Sequence, residues 1–191
     1  MEFRVVYRGP LPSQSRGNSR LRERQAIRKA LHPQLKELWA QNRSWMGNEE
    51  DVANEFKQFG FRFVPIISKK DCQQCSIHIL FLRRDAPGNL ITNGGDIDNR
   101  LKVLFDGLRK PNESHDVAEE SPQQGEDPFF CLLEDDSLIT EVHVLTDRLL
   151  IPCSSEENIH NVELTIHVKT DHDLARASDV RDLQILSAMS G

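Results

Sequence analysis

The sequence predicts a mixed α/β (α+β) protein, one domain in which a mixed sheet of about four strands packs with helices. Three observations carry that prediction. Alternating apolar and polar residues open the chain at Phe3, Val5 and Tyr7 and return near its end at Val162 to Val168. A long helical pattern follows the first strand, with Ile27, Ala30, Leu31, Leu35, Leu38 and Trp39 on one face. A second amphipathic pattern, Leu101, Leu104, Phe105 and Leu108, lies in mid-chain between further strand signals.

At 191 residues the chain can bury one substantial core and is too short for two average domains. Apolar content of 38%, charged content of 28% and the lack of a long uncharged apolar run predict a soluble globular protein with no membrane partner. The start, Met1-Glu2-Phe3-Arg4, reads as an amphipathic strand with no apolar signal core, so the expected location is the cytoplasm. Cys72, Cys75, Cys131 and Cys153 lack a compact zinc pattern and read as free thiols, with a redox dithiol at Cys72 and Cys75 as the weaker alternative. The net charge of −6 conceals an asymmetry. Residues 1–43 hold ten Lys/Arg against three Asp/Glu, whereas residues 111–191 hold four against eighteen. A basic face for phosphates and an acidic remainder fit this segregation, which does not by itself establish nucleic-acid binding.

Strand one runs from Glu2 to Tyr7 and ends at Gly9-Pro10-Leu11-Pro12. A helix is expected from Ser19 to Gln41, with Pro33 producing a kink or two consecutive helices. Residues 44–60 read as a short polar helix with Val52, Phe56 and Phe59 at helical spacing, ending at Gly60. Phe61 to Ile67 is a strand that Pro65 confines to an edge, and Cys75 to Leu82 is a stronger one. A helix is expected from Asp98 to Arg109, then an acidic, proline-punctuated mobile loop over 110–128. Strands follow at Leu138 to Leu145 and Val162 to Val168, and a closing helix at Leu174 to Met189.

The run Asp96-Ile97-Asp98-Asn99-Arg100-Leu101-Lys102 carries the chemistry. Two carboxylates one residue apart at a helix start can converge on a hard divalent cation, with a third ligand from Glu134-Asp135-Asp136. Lys102, one turn beyond Asp98, projects to the same side and is placed to neutralise charge on a phosphorane. A plainer reading makes Asp98 a helix cap and Asp98, Lys102 and Asp106 a solvated ion-pair ladder. A calcium EF-hand is excluded, because Arg100 and Leu101 stand where a ligand oxygen and the turn glycine belong.

The run resembles the signature of the RusA-type Holliday junction resolvases, Asp-x-Asp-Asn-x-x-Lys-x-x-x-Asp-x-Leu with a later Asp-Asp, here Asp96 to Leu108 and Asp135-Asp136. Its five polar matches would arise by chance in roughly one chain of this length in ten thousand. The order of elements is similar over most of the chain, including the turn at Leu11-Pro12-Ser13. The resemblance implies a RusA-like nuclease domain over 1–170 with an appended helix at 171–191. It also implies a homodimer on branched DNA and hydrolysis dependent on Mg²⁺, with Mn²⁺ as the alternative metal. By the same resemblance Asp96, Asp98 and Asp136 are the expected metal ligands, Lys102 the catalytic cation and Asp135 an accessory carboxylate. Candidate DNA contacts are Arg16, Asn18, Arg20, Arg24, Lys69, Lys70, Arg83, Arg84 and Arg100, most of them backbone-directed cations.

Residues 44–67, the long loop before Asp135 and the helix after Thr170 depart from the compact pattern. Acidic residues within 113–127 can be read as a flap across the site, although a solvated loop is the preferred reading. Two other functions stay open at this point: a nuclease of the same fold acting on flaps, replication intermediates or phage DNA, and a non-catalytic module binding DNA or protein.

Overall fold

The computed structural model of the chain describes residues 1–12, 18–84, 97–117, 122–150 and 160–172, and omits the side chains of Asn18, Ser19 and Trp45. The mixed α+β class is observed. In chain order the described elements are β1 (Glu2–Pro10), α1 (Asn18–Gln41), α2 (Arg43–Met46), α3 (Glu49–Glu55), β2 (Lys57–Gln58), β3 (Phe61–Ile67) and β4 (Gln73–Arg83). Then come α4 (Ile97–Leu108), a 3-10 turn (Ser114–Val117), β5 (Phe129–Leu133), a second 3-10 turn (Asp136–Leu138), β6 (Ile139–Arg148) and β7 (Asn161–His172). The expected C-terminal helix lies outside the described residues.

Four strands form a sheet in the order β1-β7-β4-β6, antiparallel except for the parallel pair β4 and β6. The period-two patterns of β1, β4 and β7 place Val5 and Tyr7, Ile77, Ile79 and Phe81, and Val162, Leu164, Ile166 and Val168 on one buried face. Into that face pack Ile27, Leu31 and Leu35 of α1 and Val103, Leu104 and Leu108 of α4. The two helices cross at Gly107, where an added Cβ would stand 2.9 Å from the Ile27 side chain. Glycine costs helix propensity, and close approach of α1 is what it permits.

A second sheet, β2-β3-β5, joins an antiparallel hairpin to the parallel pair β3 and β5. Its faces are both covered. Val64, Ile66, Phe130 and Leu132 belong to the main core, whereas Phe61, Phe63, Phe129 and Cys131 form a smaller cluster with Val117. β5 was not expected from the sequence, because a strand buried on both sides reads as a continuous apolar run without alternation. Pro65 is tolerated because β2 pairs only with Phe61 and Arg62, so from Phe63 onward β5 is the one partner strand among the described residues.

Three expectations are refined. Of the two alternatives at Pro33, two consecutive helices are excluded: α1 is one helix through Pro33, with the ring on the exposed side while Leu31, His32 and Leu35 stay buried on the core side. The polar helix expected over 44–60 is instead α2, α3 and a hairpin. Phe59 sits exposed in its turn at φ 51°, beside Gly60 at φ 80°. The segment 110–128 is largely built in: Lys110 donates to the Leu133 carbonyl at 2.9 Å, and Asp116 and Val117 are buried. Residues 118–121 lie outside the described ones.

Gly107→Ala tests the helix crossing. Overpacking against Ile27 should outweigh the ~1 kcal/mol gain in helix propensity and lower stability by about 1 kcal/mol net. Urea denaturation reads this directly, and a stabilised variant would mean that α1 and α4 are not in contact there.

Candidate functional site

α4 separates its charges by face. Toward the interior, Asp106 accepts from Arg24 of α1 at 2.7 Å and from Arg109 at 3.1 Å. Asp116 from the 3-10 turn joins them, bound by Arg24 at 2.9 Å and by the Asn112 N–H at 3.4 Å. Arg28 donates to the backbone carbonyls of Asp106, Arg109 and Asp116 at 2.7, 3.1 and 3.2 Å. Burial by itself would raise the Asp116 pKa, yet Arg28, the Asn112 N–H, Arg24 and Arg109 together hold it below the ordinary carboxylate value.

On the other side of the same helix, Asp98, Asn99 and Lys102 are exposed. The Asn99 N–H donates to Asp98 Oδ1 at 2.8 Å, so Asp98 sits in the first turn, where the helix dipole favours an anion. Neither Asp98 nor Lys102 forms an ion pair with a described residue, and Asp106 turns away to the arginines. The ladder reading of Asp98, Lys102 and Asp106 is therefore not what folds. Asp96 lies outside the described residues.

The later acidic segment is brought to α4 by the turn Asp136–Leu138, which packs against that helix and buries Leu138. Asp135 caps this turn, accepting from the Ser137 N–H at 2.9 Å, and Lys69 Nζ stands 3.4 Å from its other oxygen. Hydrogen bonding from Ser137, with Lys69 adding to it, holds the Asp135 pKa down at about 2. Glu134 Oε2 accepts the Lys69 N–H at 2.7 Å, which ties the end of β5 to the turn between β3 and β4. Asp136 is exposed and has no ion pair among the described residues. The structure thus makes Asp135 a capping residue and leaves Asp136 free beside α4.

Asp98 and Asp136 fit a hard divalent cation in their chemistry: oxygen donors, exposed, on touching elements, with no ammonium or guanidinium partner among the described residues. Among the described residues no three His, Cys, Asp or Glu side chains converge as a metal-holding group.

The candidate DNA contacts divide sharply. Arg100 is 1% exposed, donates to the Leu11 carbonyl and belongs to the core. Arg83 is 3% exposed, and Arg24 is the link between Asp106 and Asp116. All three are too enclosed to reach a phosphate, and for Arg24 and Arg100 the carboxylates or carbonyl that hold the guanidinium are in place. Arg20 is half-buried, with Nε enclosed. Lys69, Lys70 and Arg84 are exposed, Lys70 within 2.5 Å of Glu55. Arg16 and the Asn18 side chain lie outside the described residues. Of the described part of the acidic segment, Asp116 docks at the Asp106–Arg109 end of α4, about 12 Å along the helix from Asp98, and Glu119 and Glu120 lie outside the described residues. Cys72, Cys75 and Cys131 form no disulfide with one another, and Cys75 and Cys131 are buried. No helix among the described residues is long and apolar enough to cross a membrane.

Two stability measurements check this sorting of charges. Asp116→Ala should lose roughly 3 kcal/mol or more, because it strands buried arginines, whereas Asp136→Asn should stay within about 0.5 kcal/mol of wild type. Equal losses would show that the two carboxylates are not differently placed. Asp135, with its pKa depressed from 3.8 to about 2, binds fewer protons folded than unfolded. Its contribution is complete above about pH 4 and is lost as pH falls toward 2, so Asp135→Asn should flatten that part of the stability profile. Compared with protein-family models, with curated proteins and with solved structures, the chain finds no match.

Proposed function

We propose that this chain is a Mg²⁺-dependent, structure-specific endodeoxyribonuclease, acting in the cytoplasm as a homodimer, that cuts Holliday junctions or other branched DNA by phosphodiester hydrolysis. The supporting observation is the division of charge on α4. Asp98 and Lys102 stay exposed and without ion pairs among the described residues, on a helix that the Asp136 turn touches, while Asp106, the other carboxylate of that helix, is taken by arginines. Exposed carboxylates without ion pairs are available to a metal ion and an exposed ammonium to a phosphate, which is what a phosphate-cutting site requires.

Asp98 and Asp136, with Asp96, would hold the ion. A Mg²⁺ ion held there would supply positive charge against the phosphate and lower the pKa of a bound water. Lys102 has a separate task. Its ammonium, a turn from Asp98 and free of Asp106, is available to a non-bridging phosphate oxygen and stabilises the charge that grows on it as the nucleophile attacks. Asp135 sets the backbone that presents Asp136, with Lys69 holding it in place. Lys69, Lys70 and Arg84 remain as exposed cations for the DNA backbone, which they would position without reading sequence. Residues 44–67 add α3 and the hairpin to the compact pattern, which favours a branched substrate other than the four-way junction as the second reading.

A panel of four-way, flap and linear duplex substrates in Mg²⁺ tests the proposal. Asp98→Asn, Asp136→Asn and Lys102→Met should each lower cleavage about 100-fold or more with folding intact. Wild-type rates in the two aspartate variants would reject the metal site, and wild-type inactivity on all three substrates would reject the nuclease reading.

A further inference from the structure

Three histidines of the four-stranded sheet stand in one cross-strand row. Ile77 and Ile79 of β4, and Ile166 and Val168 of β7, are buried in the core, so the two-residue period of a strand turns His78 and His167 away from it. The register pairs His78 with His167 on one side and with His143 of β6 on the other. The row thus lies on the outer face of the sheet, opposite the face that receives α1 and α4.

His167 is engaged already, with Nε2 2.7 Å from Glu2 Oε1. His78 and His143 are not. Their ring centres are 5.5 Å apart, and His78 Nε2 stands 3.7 Å from Glu141 Oε1, too far for a hydrogen bond. Glu141 lies two residues before His143 on β6, hence on the same face. Both spacings are close to those of groups that share one metal ion. Zinc bonded at about 2.0–2.1 Å to two donors at the tetrahedral angle holds the donor atoms roughly 3.3 Å apart and two imidazole centres roughly 5 Å apart. Among the described residues no three donors converge on one point as the chain stands. Small rotations of exposed side chains are what gathering them takes, and the side chains of His78 and Glu141 are 47% and 66% exposed.

We propose that His78, His143 and Glu141 bind a borderline divalent transition ion of the Zn²⁺ class on the outer face of the sheet. Two imidazoles and a carboxylate suit such an ion, and imidazole is a poor ligand for Mg²⁺, which prefers oxygen. Three protein donors leave a fourth position to water. The ion spans two strands: β6 is the outermost strand, and β4 is its one partner strand among the described residues. Binding therefore ties the edge of the sheet to its interior and stabilises the folded chain by mass action. The site does not rest on the nuclease reading, because Asp98 and Lys102 belong to α4, which packs on the other face.

Calorimetric titration of the full chain with Zn²⁺, in the presence of excess Mg²⁺, tests the site, and thermal melting followed by circular dichroism supplies a second readout. Zinc should bind at micromolar concentration despite the Mg²⁺ and raise the melting temperature. His78→Gln, His143→Gln and Glu141→Gln should each weaken zinc binding about tenfold or more and remove the zinc-dependent rise in melting temperature. All three are exposed positions, where substitutions ordinarily leave folding intact, and melting without zinc checks this. Should one variant fail to fold, the other two carry the test. His115→Gln, which alters an exposed histidine of the 3-10 turn at Ser114–Val117, should bind zinc as the wild type does. Absence of zinc binding, its displacement by Mg²⁺, unchanged affinity in any folded variant of the three, or an equal loss in His115→Gln overturns the proposal.

Discussion

Arg24, Arg28, Arg109, Asp106 and Asp116 meet below the surface, and the placement of α4 follows from that meeting. The cluster joins α1 to α4 and the 3-10 turn at Ser114–Val117, which lie far from α1 in the chain. Breaking one member would leave an uncompensated buried charge, which is why such clusters fix geometry even when their net stabilisation is small. α4 carries Asp98 and Lys102, so the candidate site inherits its orientation from charges it does not contain. Gly107 sets the distance of the same helix from α1, and the arginines set its rotation.

The cluster also alters the meaning of the basic amino-terminal third. Ten Lys/Arg in residues 1–43 suggest a surface for phosphates, yet Arg24 and Arg28 are spent on the interior. Arg83 and Arg100 are likewise enclosed. The exposed cations nearest in kind to a DNA surface are fewer and lie in the β3–β4 turn and at the end of β4, as Lys69, Lys70 and Arg84. Lys69 touches both jobs, binding Glu134 through its backbone and Asp135 through its ammonium.

A second, quieter polar device holds β5. His32 of α1 accepts the Phe130 N–H on Nδ1 at 2.9 Å, which leaves Nε2 to donate to the Gly125 carbonyl at 3.1 Å. Burial lowers the pKa of this imidazole, so the neutral tautomer that makes both bonds is the one the fold favours. Phe129 stacks on the same ring at 4.6 Å. In this way the acidic segment ending at Asp127 is tied to α1 at Gly125 as well as at Asp116.

The sequence by itself determined the elements whose periodicity is one-sided. β1, β4, β7, α1 and α4 each bury one face, and a half-buried element writes its period into the chain. It also singled out Asp98, Lys102 and Asp136, because the motif spacing is local in Asp98 and Lys102 and the Asp135–Asp136 pair is conspicuous. Tertiary structure alone decided the rest. β5 is buried on both faces and so has no period to read. Arg24, Arg83 and Arg100 have the same sequence signature as surface cations, and only their enclosure by the folded chain, with partners distant in sequence for Arg24 and Arg100, makes them structural. Asp98 and Asp106 are two i, i+4 steps apart on one helix, yet one is left to solvent and the other is taken by arginines. No local rule separates them, since the difference lies in what packs against each face.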